Sequence, residues 1–196
     1  TRLANWSNLQ ERVRRLARQR SGEPALAAPI PNEVLDLPFV WRAMEWARPG
    51  GQIAFALHAR LLFQRGETMP DARNALLASL DVTGIVNGTE LRRTRVWPEI
   101  TAPFCILFAR NTAPPPGAGF RFTSPHLEGP LNASGDWRVD AANAEVLPNR
   151  DVRARPELLK ILFRGSRLDL ELYDRIASKG LPTLRDYWAE LFGAEK

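Results

Sequence analysis

The stretch RVWPEITAPFCILFARN, Arg95 to Asn111, gathers the residues of this chain best suited to do chemistry. Trp97-Pro98 is followed by polar Glu99 and Thr101, by a second proline at Pro103, and then by an apolar run; Arg92, Arg93 and Arg95 lead into the pair. A proline stiffens the backbone that presents its neighbour. An indole held in that way offers a flat apolar surface for stacking, although the same ring can serve to plug the edge of a sheet core. His58 ends another apolar run, QIAFALH, at the position where open α/β sheets hold ligands. A polar residue closing a buried strand leaves the same signature.

Several chemistries are excluded at once. Cys105 is the only cysteine and sits inside an apolar run, so no disulfide framework or thiol pair is available. His58 and His126 are the only histidines and lie far apart, which leaves no conventional zinc site and points to metal-free chemistry. No apolar run approaches the roughly 18 residues a membrane span needs, and no apolar signal region follows the N-terminal charges; a membrane partner is not expected, and the cytoplasm is the default location. With 44% hydrophobic and 25% charged residues the chain can bury a sizeable core. Charge is concentrated at one end. Residues 1–20 carry six arginines (Arg2, Arg12, Arg14, Arg15, Arg18, Arg20) against Glu11, and so hold the whole formal net charge of +5. Such a segment can bind nucleic acid or an acidic surface through counterion release, or it can be a solvated helix face.

The elements that must position these residues follow from periodicity. Residues 7–20 read as an amphipathic helix, with Ser7 and Gln10 in a capping-box pattern and Leu9, Val13 and Leu16 at helical spacing. A proline-rich loop at 21–35 precedes a second helix, capped by Asp36, with Pro38 in its first turn; it is stopped by ARPGG. QIAFALH, VTGIVNG and FCILFAR read as strands, with MPDARNALLASL as a helix between the first two and ELRRTRVWPEITAP as a basic connection before the third. This order predicts an α/β layer of parallel strands with one closing antiparallel strand. Beyond the hinge TAPPPGAGF, short strand-like pieces (FRFTS, WRVDAANAEVL) are expected among turns. Three helical segments follow: PELLKILF, LDLELYDRIAS ended by Lys179-Gly180, and TLRDYWAELF capped by Thr183 and stopped at Gly193. The division expected is 1–31 for the basic helix and loop, 32–113 for the α/β part, and 114–196 for irregular β pieces and a helical extension.

LDLPFVWRAMEWARPGGQIAFALHARLLF, then VTGIVNG, then RVWPEITAPFCILFARN resembles the second half of the catalytic domain of adenine-N6 DNA methyltransferases of the restriction-modification, type IIG or phage-defence type. The resemblance covers about residues 32–111. It implies a partial class I (Rossmann-like) methyltransferase sheet, its C-terminal half, with a small mostly helical extension. In that family a helix ends in a Pro-Gly-Gly turn, the strand after it faces the active site, and two further strands are joined by a loop holding an aromatic-proline pair. Two motifs of the family are missing: a glycine-containing turn that holds S-adenosylmethionine, and an Asn-Pro-Pro-aromatic tetrapeptide that accepts hydrogen bonds from the adenine amino group. Both lie upstream of the matched region in the family.

The resemblance therefore implies a portion of an enzyme that transfers a methyl group from S-adenosylmethionine to adenine N6 of DNA. No catalytic residue is expected in this chain, and no cofactor is expected bound to it alone. The base reaches such a site by leaving the duplex stack, and the family's aromatic-proline pair packs against it, which makes Trp97 and Pro98 the candidates for target-base binding, with His58 matched by position. Arg92, Arg93 and Arg95 become candidate phosphate contacts. The implied partners are double-stranded DNA, the remainder of the methyltransferase chain, and further copies of this chain through an exposed sheet edge. The alternative is a non-enzymatic DNA-binding or protein-interaction module derived from the same fold, acting through the arginine helix.

Overall fold

A computed structural model describes residues 2–31, 35–66, 68–139, 144–182 and 184–193. Helix α1 (Arg2–Ser21) is followed by α2 (Leu37–Trp46), β1 (Gln52–His58), the short α3 (Arg60–Phe63), α4 (Met69–Ser79), β2 (Asp81–Asn87), a 3-10 turn (Thr89–Leu91) and β3 (Phe104–Arg110). Then come β4 (Gly119–Thr123), α5 (Gly129–Ser134), β5 (Ala144–Pro148), α6 (Asn149–Ala154), α7 (Leu158–Leu162), α8 (Arg167–Ala177) and α9 (Leu184–Phe192). The five strands form one mixed sheet in the order β1-β3-β2-β4-β5. The α/β class expected from the sequence is the one found.

Two details of the sheet differ from expectation. β3 runs antiparallel to both β1 and β2 and lies between them, instead of closing the layer at one side. β1 is consequently an edge strand. The strand-like pieces after the hinge are also not irregular: β4 joins β2 in parallel and β5 pairs with β4 antiparallel, extending the same sheet. The 140–143 part of the second piece lies outside the described residues.

The sheet is covered on one face. Ile53 and Leu57 of β1, Cys105, Leu107 and Ala109 of β3, Ile85 of β2, Phe120 and Phe122 of β4 and Leu147 of β5 share that face by register and are all buried. Helix α4 lies over it and is itself buried nearly all round, including Ala72, Ala75, Leu76, Leu77 and Ala78. Outside α4 packs α1, through Val13 and Ala17. A helix apolar on all sides requires cover on all sides, and α1 supplies the outer layer.

The capping box expected at Ser7 is not formed, because α1 begins at Arg2 and Ser7 is an exposed interior residue. Trp6 packs partly against the core and extends the apolar stripe upstream of the expected start. Gln10 instead leaves the helix sideways: its amide donates to the Ala28 carbonyl at 2.5 Å and accepts the Ile30 N–H at 2.9 Å. Asp36 does occupy the N-cap position of α2, but its carboxylate makes no cap bond and accepts the His58 N–H at 2.8 Å. That N–H belongs to an edge strand and needs an acceptor that no neighbouring strand provides. The PGG turn closes as expected, with Gly50 at φ 71°. It is locked by Asn111, whose amide donates to the Met44 and Ala47 carbonyls at 3.0 and 2.7 Å.

Arg73 is buried in α4 and ties that helix to α3 and to the approach to α7. Its guanidinium donates to the carbonyls of Leu61, Leu62 and Gln64 at the end of α3, and of Pro156 ahead of α7. Burial, more than the nearby Arg65 charge, brings its pKa down to about 10, so it stays charged at neutral pH. Leu158, Leu159 and Leu162 of α7 join the common core. The Thr183 cap expected for α9 lies outside the described residues, while Gly180 and Gly193, at φ 63° and 80°, end the last two helical segments as expected.

Candidate functional site

The carboxyl ends of β1 and β2, and the loop that returns from β2 to β3, form one end of the sheet. The loop closes on itself: the Arg93 N–H donates to the Ile100 carbonyl at 3.0 Å and the Trp97 N–H to the Thr94 carbonyl at 3.2 Å. Thr94 donates its hydroxyl to the Leu91 carbonyl at 2.6 Å and accepts the Val96 N–H at 3.2 Å. Arg93 sits in the left-handed region at φ 61°, which costs a non-glycine residue about 1–2 kcal/mol and allows the sharp reversal. Arg93, Arg95 and Pro98 are exposed, and Arg92 and Trp97 are half-buried and bridged to each other through their backbones.

Trp97 rests on Phe104, with ring centroids 4.7 Å apart and planes tilted by 54°. Phe104 is the first residue of β3 and lies directly opposite His58 in the ladder. Gly88, the residue after β2, is held to glycine by this packing, because a Cβ there would stand 2.1 Å from the Phe104 ring. The aromatic pair and the glycine are thus one packed unit, with the histidine beside it in the ladder.

His58 and Trp97 meet the same phenylalanine but do not line the same hollow. His58 opens instead on a hollow of ≈ 360 Å³ walled by Arg60, Gln64, Phe63, Pro103, Phe163 and Lys160. Its Nδ1 accepts the Arg60 N–H at 3.1 Å. Burial first, and then the Arg60 charge, hold the imidazole below the ordinary histidine range, against an upward pull from Asp36. The ring is neutral at pH 7 as a result. Across the hollow Phe163 stacks on Phe63 at 4.4 Å, and the Lys160 ammonium lies 5.5 Å from the Phe163 ring. The walls are aromatic, from Phe63 and Phe163, and carry the cations Arg60 and Lys160. Cys105, beside this end, is inert, since burial pushes its thiol well up.

Sequence reasoning missed three members of this end. Lys160 and Phe163 come from α7 and its C-terminal edge, about a hundred residues from His58, and no local signal ties them to it. Asn87, the last residue of β2, donates to the Ser124 hydroxyl and the Phe163 carbonyl and accepts from the Thr89 N–H and hydroxyl. The Asn-Gly pair after an apolar strand was the available signal for it.

No protein-family model matches the sequence, and no curated protein does. Solved structures do match. One is a structure of a type I restriction-modification system described for its complex assembly and conformational transition, with 13% identity and a TM-score of 0.50 over 78% of this chain and 38% of that one. What is shared at that identity is the fold. Another is a type I restriction-modification methyltransferase subunit from Streptococcus thermophilus, with 14% identity and a TM-score of 0.49 over 68% of this chain and 31% of that one. The chain spans 31% and 38% of the lengths of these two neighbours.

Among the described residues no helix is long and apolar enough to cross a membrane. The arginine helix is engaged within the molecule. Arg12 makes a two-pronged bond to Glu45 at 2.6 and 2.9 Å, Arg18 donates to the Leu26 carbonyl, and Arg20 donates to the Ser79 carbonyl at 2.7 Å.

Proposed function

We propose that this chain is the C-terminal half of the catalytic domain of an adenine-N6 DNA methyltransferase of a restriction-modification or defence system. The observation that carries the reading is the unfinished sheet. β1 is a free edge, and the face opposite the helices leaves Ala54, Ala56 and Phe108 exposed above a trough of ≈ 550 Å³. A run as continuously apolar as FCILFAR is the mark of a strand covered on both faces. In this reading the remainder of the methyltransferase supplies the missing strands and the second layer of helices. Assembly with further proteins, as described for a structural neighbour, belongs to the same proposal.

S-adenosylmethionine carries a sulfonium cation. The hollow at the end of β1 presents His58, Arg60 and Lys160, and none of the described residues that line it is a carboxylate. Gly88 offers no cradle either, since its space is taken by Phe104. These residues do not fit the cofactor, and its binding falls to the remainder of the enzyme. The part proposed for this chain is to hold an extruded adenine against Trp97 and Pro98, with Arg92, Arg93 and Arg95 on adjacent phosphates and His58 at the neighbouring hollow. Phe104 and Gly88 set the height and tilt of the Trp97 ring.

The direct test uses the complete protein. Trp97→Ala removes a stacking surface worth about 1–3 kcal/mol, so adenine opposite an abasic site should bind 5- to 150-fold more weakly while S-adenosylmethionine binds as before. Equal losses for both ligands would overturn the assignment. A reading frame upstream of Thr1 that encodes Asn-Pro-Pro-aromatic supports the enzyme, and a true translation start at Thr1 supports the non-enzymatic module. That module would act through the arginine helix, and the engagement of Arg12, Arg18 and Arg20 by protein groups counts against it.

A further inference from the structure

Helices α8 and α9 are the least buried part of the molecule. α8 has no buried residue at all, yet it is firmly placed: a capping box starts it, with the Ser166 N–H and hydroxyl donating to the Asp169 carboxylate at 2.7 and 2.8 Å, and Asp174 pairs with Arg155 ahead of α7. What it presents outward is an apolar stripe at every fourth residue, Leu168, Leu172 and Ile176. α9 repeats the pattern with Leu184, Trp188 and Leu191, its Trp188 ring lying 5.0 Å from that of Phe192. The six stripe residues are each between 49% and 74% exposed.

Helices of eleven and nine residues fall below the roughly 12–15 residues at which an isolated helix becomes even marginal in water. The cap, the Arg155 pair and the packing of Leu170 hold α8 from within, and covering the stripe would add to that. Six large apolar side chains, each about half exposed or more, are left for a partner to cover, where an interface of standard size takes ≈ 800 Å² from each partner. The charges beside the α8 stripe indicate what covers it. Glu171 and Arg175 lie on one flank, the acid toward the N-terminal end and the base toward the C-terminal end. An antiparallel copy of the same helix sets each acid alongside the other copy's base, which is the self-complementarity a two-fold interface requires.

We propose that two copies of this chain pair through α8 and α9, antiparallel and about a two-fold axis, stripe against stripe. The inference is independent of the methyltransferase reading, which concerns the carboxyl ends of β1 and β2 and the uncovered face of the sheet. Sedimentation equilibrium of the full chain tests it. The wild type should be dimeric with a dissociation constant on the order of micromolar, and Leu172→Arg should weaken pairing at least a hundredfold while the unfolding transition of the sheet stays in place, since Leu172 lies outside the core and is 57% exposed. Ala54→Arg, on the free edge strand, should leave the dimer intact. A monomer at all accessible concentrations, a dimer that persists in Leu172→Arg, or a dimer lost in Ala54→Arg would each overturn the proposal.

Discussion

The two faces of the sheet were built under different rules. On the helix-covered face, β3 presents Cys105, Leu107 and Ala109, all buried; on the other, the same strand presents Ile106, Phe108 and Arg110, with Phe108 41% exposed. Backbone pairing is the same for both sets, since they alternate along one strand. The difference is entirely in what lies above. Near the return loop the second face is also closed, by Trp97 over Phe104, so only its middle and far end stay open. A strand this apolar on both faces belongs to a sheet meant to be sandwiched. The open face is therefore read as an interface rather than a surface.

Paired substitutions along β3 probe this most strongly. Leu107→Ala should cost about 3 kcal/mol, as for a large-to-small change in a packed core, and Phe108→Ala well under half as much in this chain by chemical denaturation. If the proposed remainder of the protein covers this face, the Phe108 cost in the complete protein should rise to match that of Leu107. A Phe108 cost that stays small there would mean nothing covers the face. Next in size, Gly88→Ala should destabilise by about 1–3 kcal/mol through overpacking against Phe104, with faster hydrogen exchange across residues 92–104. Unchanged exchange would separate Trp97 from the glycine.

The smallest effect is a pH dependence at the outer layer, where α1 meets α2. Burial alone would raise the Glu45 carboxyl, but hydrogen bonds from Arg12 and Arg42 win and hold it below its usual value. A carboxylate with a depressed folded-state pKa contributes stability above its unfolded value, and that contribution is lost as pH falls through the folded one. Glu45→Gln should therefore lower stability by up to about 1 kcal/mol at pH 7 and by less below pH 4, as seen in thermal melts across that range. His58 works with the same sign in a higher window. Its depressed pKa means that the unfolded chain binds the proton first as pH falls below about 6.5, so the end of β1 loses stability with acid.

Where the sequence reading and the molecule agree, one local cause sufficed. QIAFALH and FCILFAR are strands to the residue, because a continuous apolar run bounded by turn residues has few other uses. ARPGG ends α2 where expected, since Gly50 can adopt a positive φ. Where they diverge, a distant group competed. Asp36 was drawn from its cap to the unpaired His58 N–H, and Gln10 from a supposed capping box to the loop at Ala28 and Ile30. For the candidate site the same division holds. Trp97, Pro98, His58 and the three arginines stand out by type, whereas Phe104 as the seat of Trp97, and Lys160 and Phe163 as walls of the hollow, depend on contacts no local pattern encodes.

By itself, then, the sequence determined the longer helices, the strands and the α/β class, since apolar period and turn chemistry act over a few residues; the short helices α3, α5 and α6 carry no period long enough to read. Only the tertiary structure decided that β3 runs between β1 and β2, that β4 and β5 continue the same sheet, and that one face and one edge are left open. Strand pairing and burial join residues far apart in the chain, and their free energy depends on every neighbour at once.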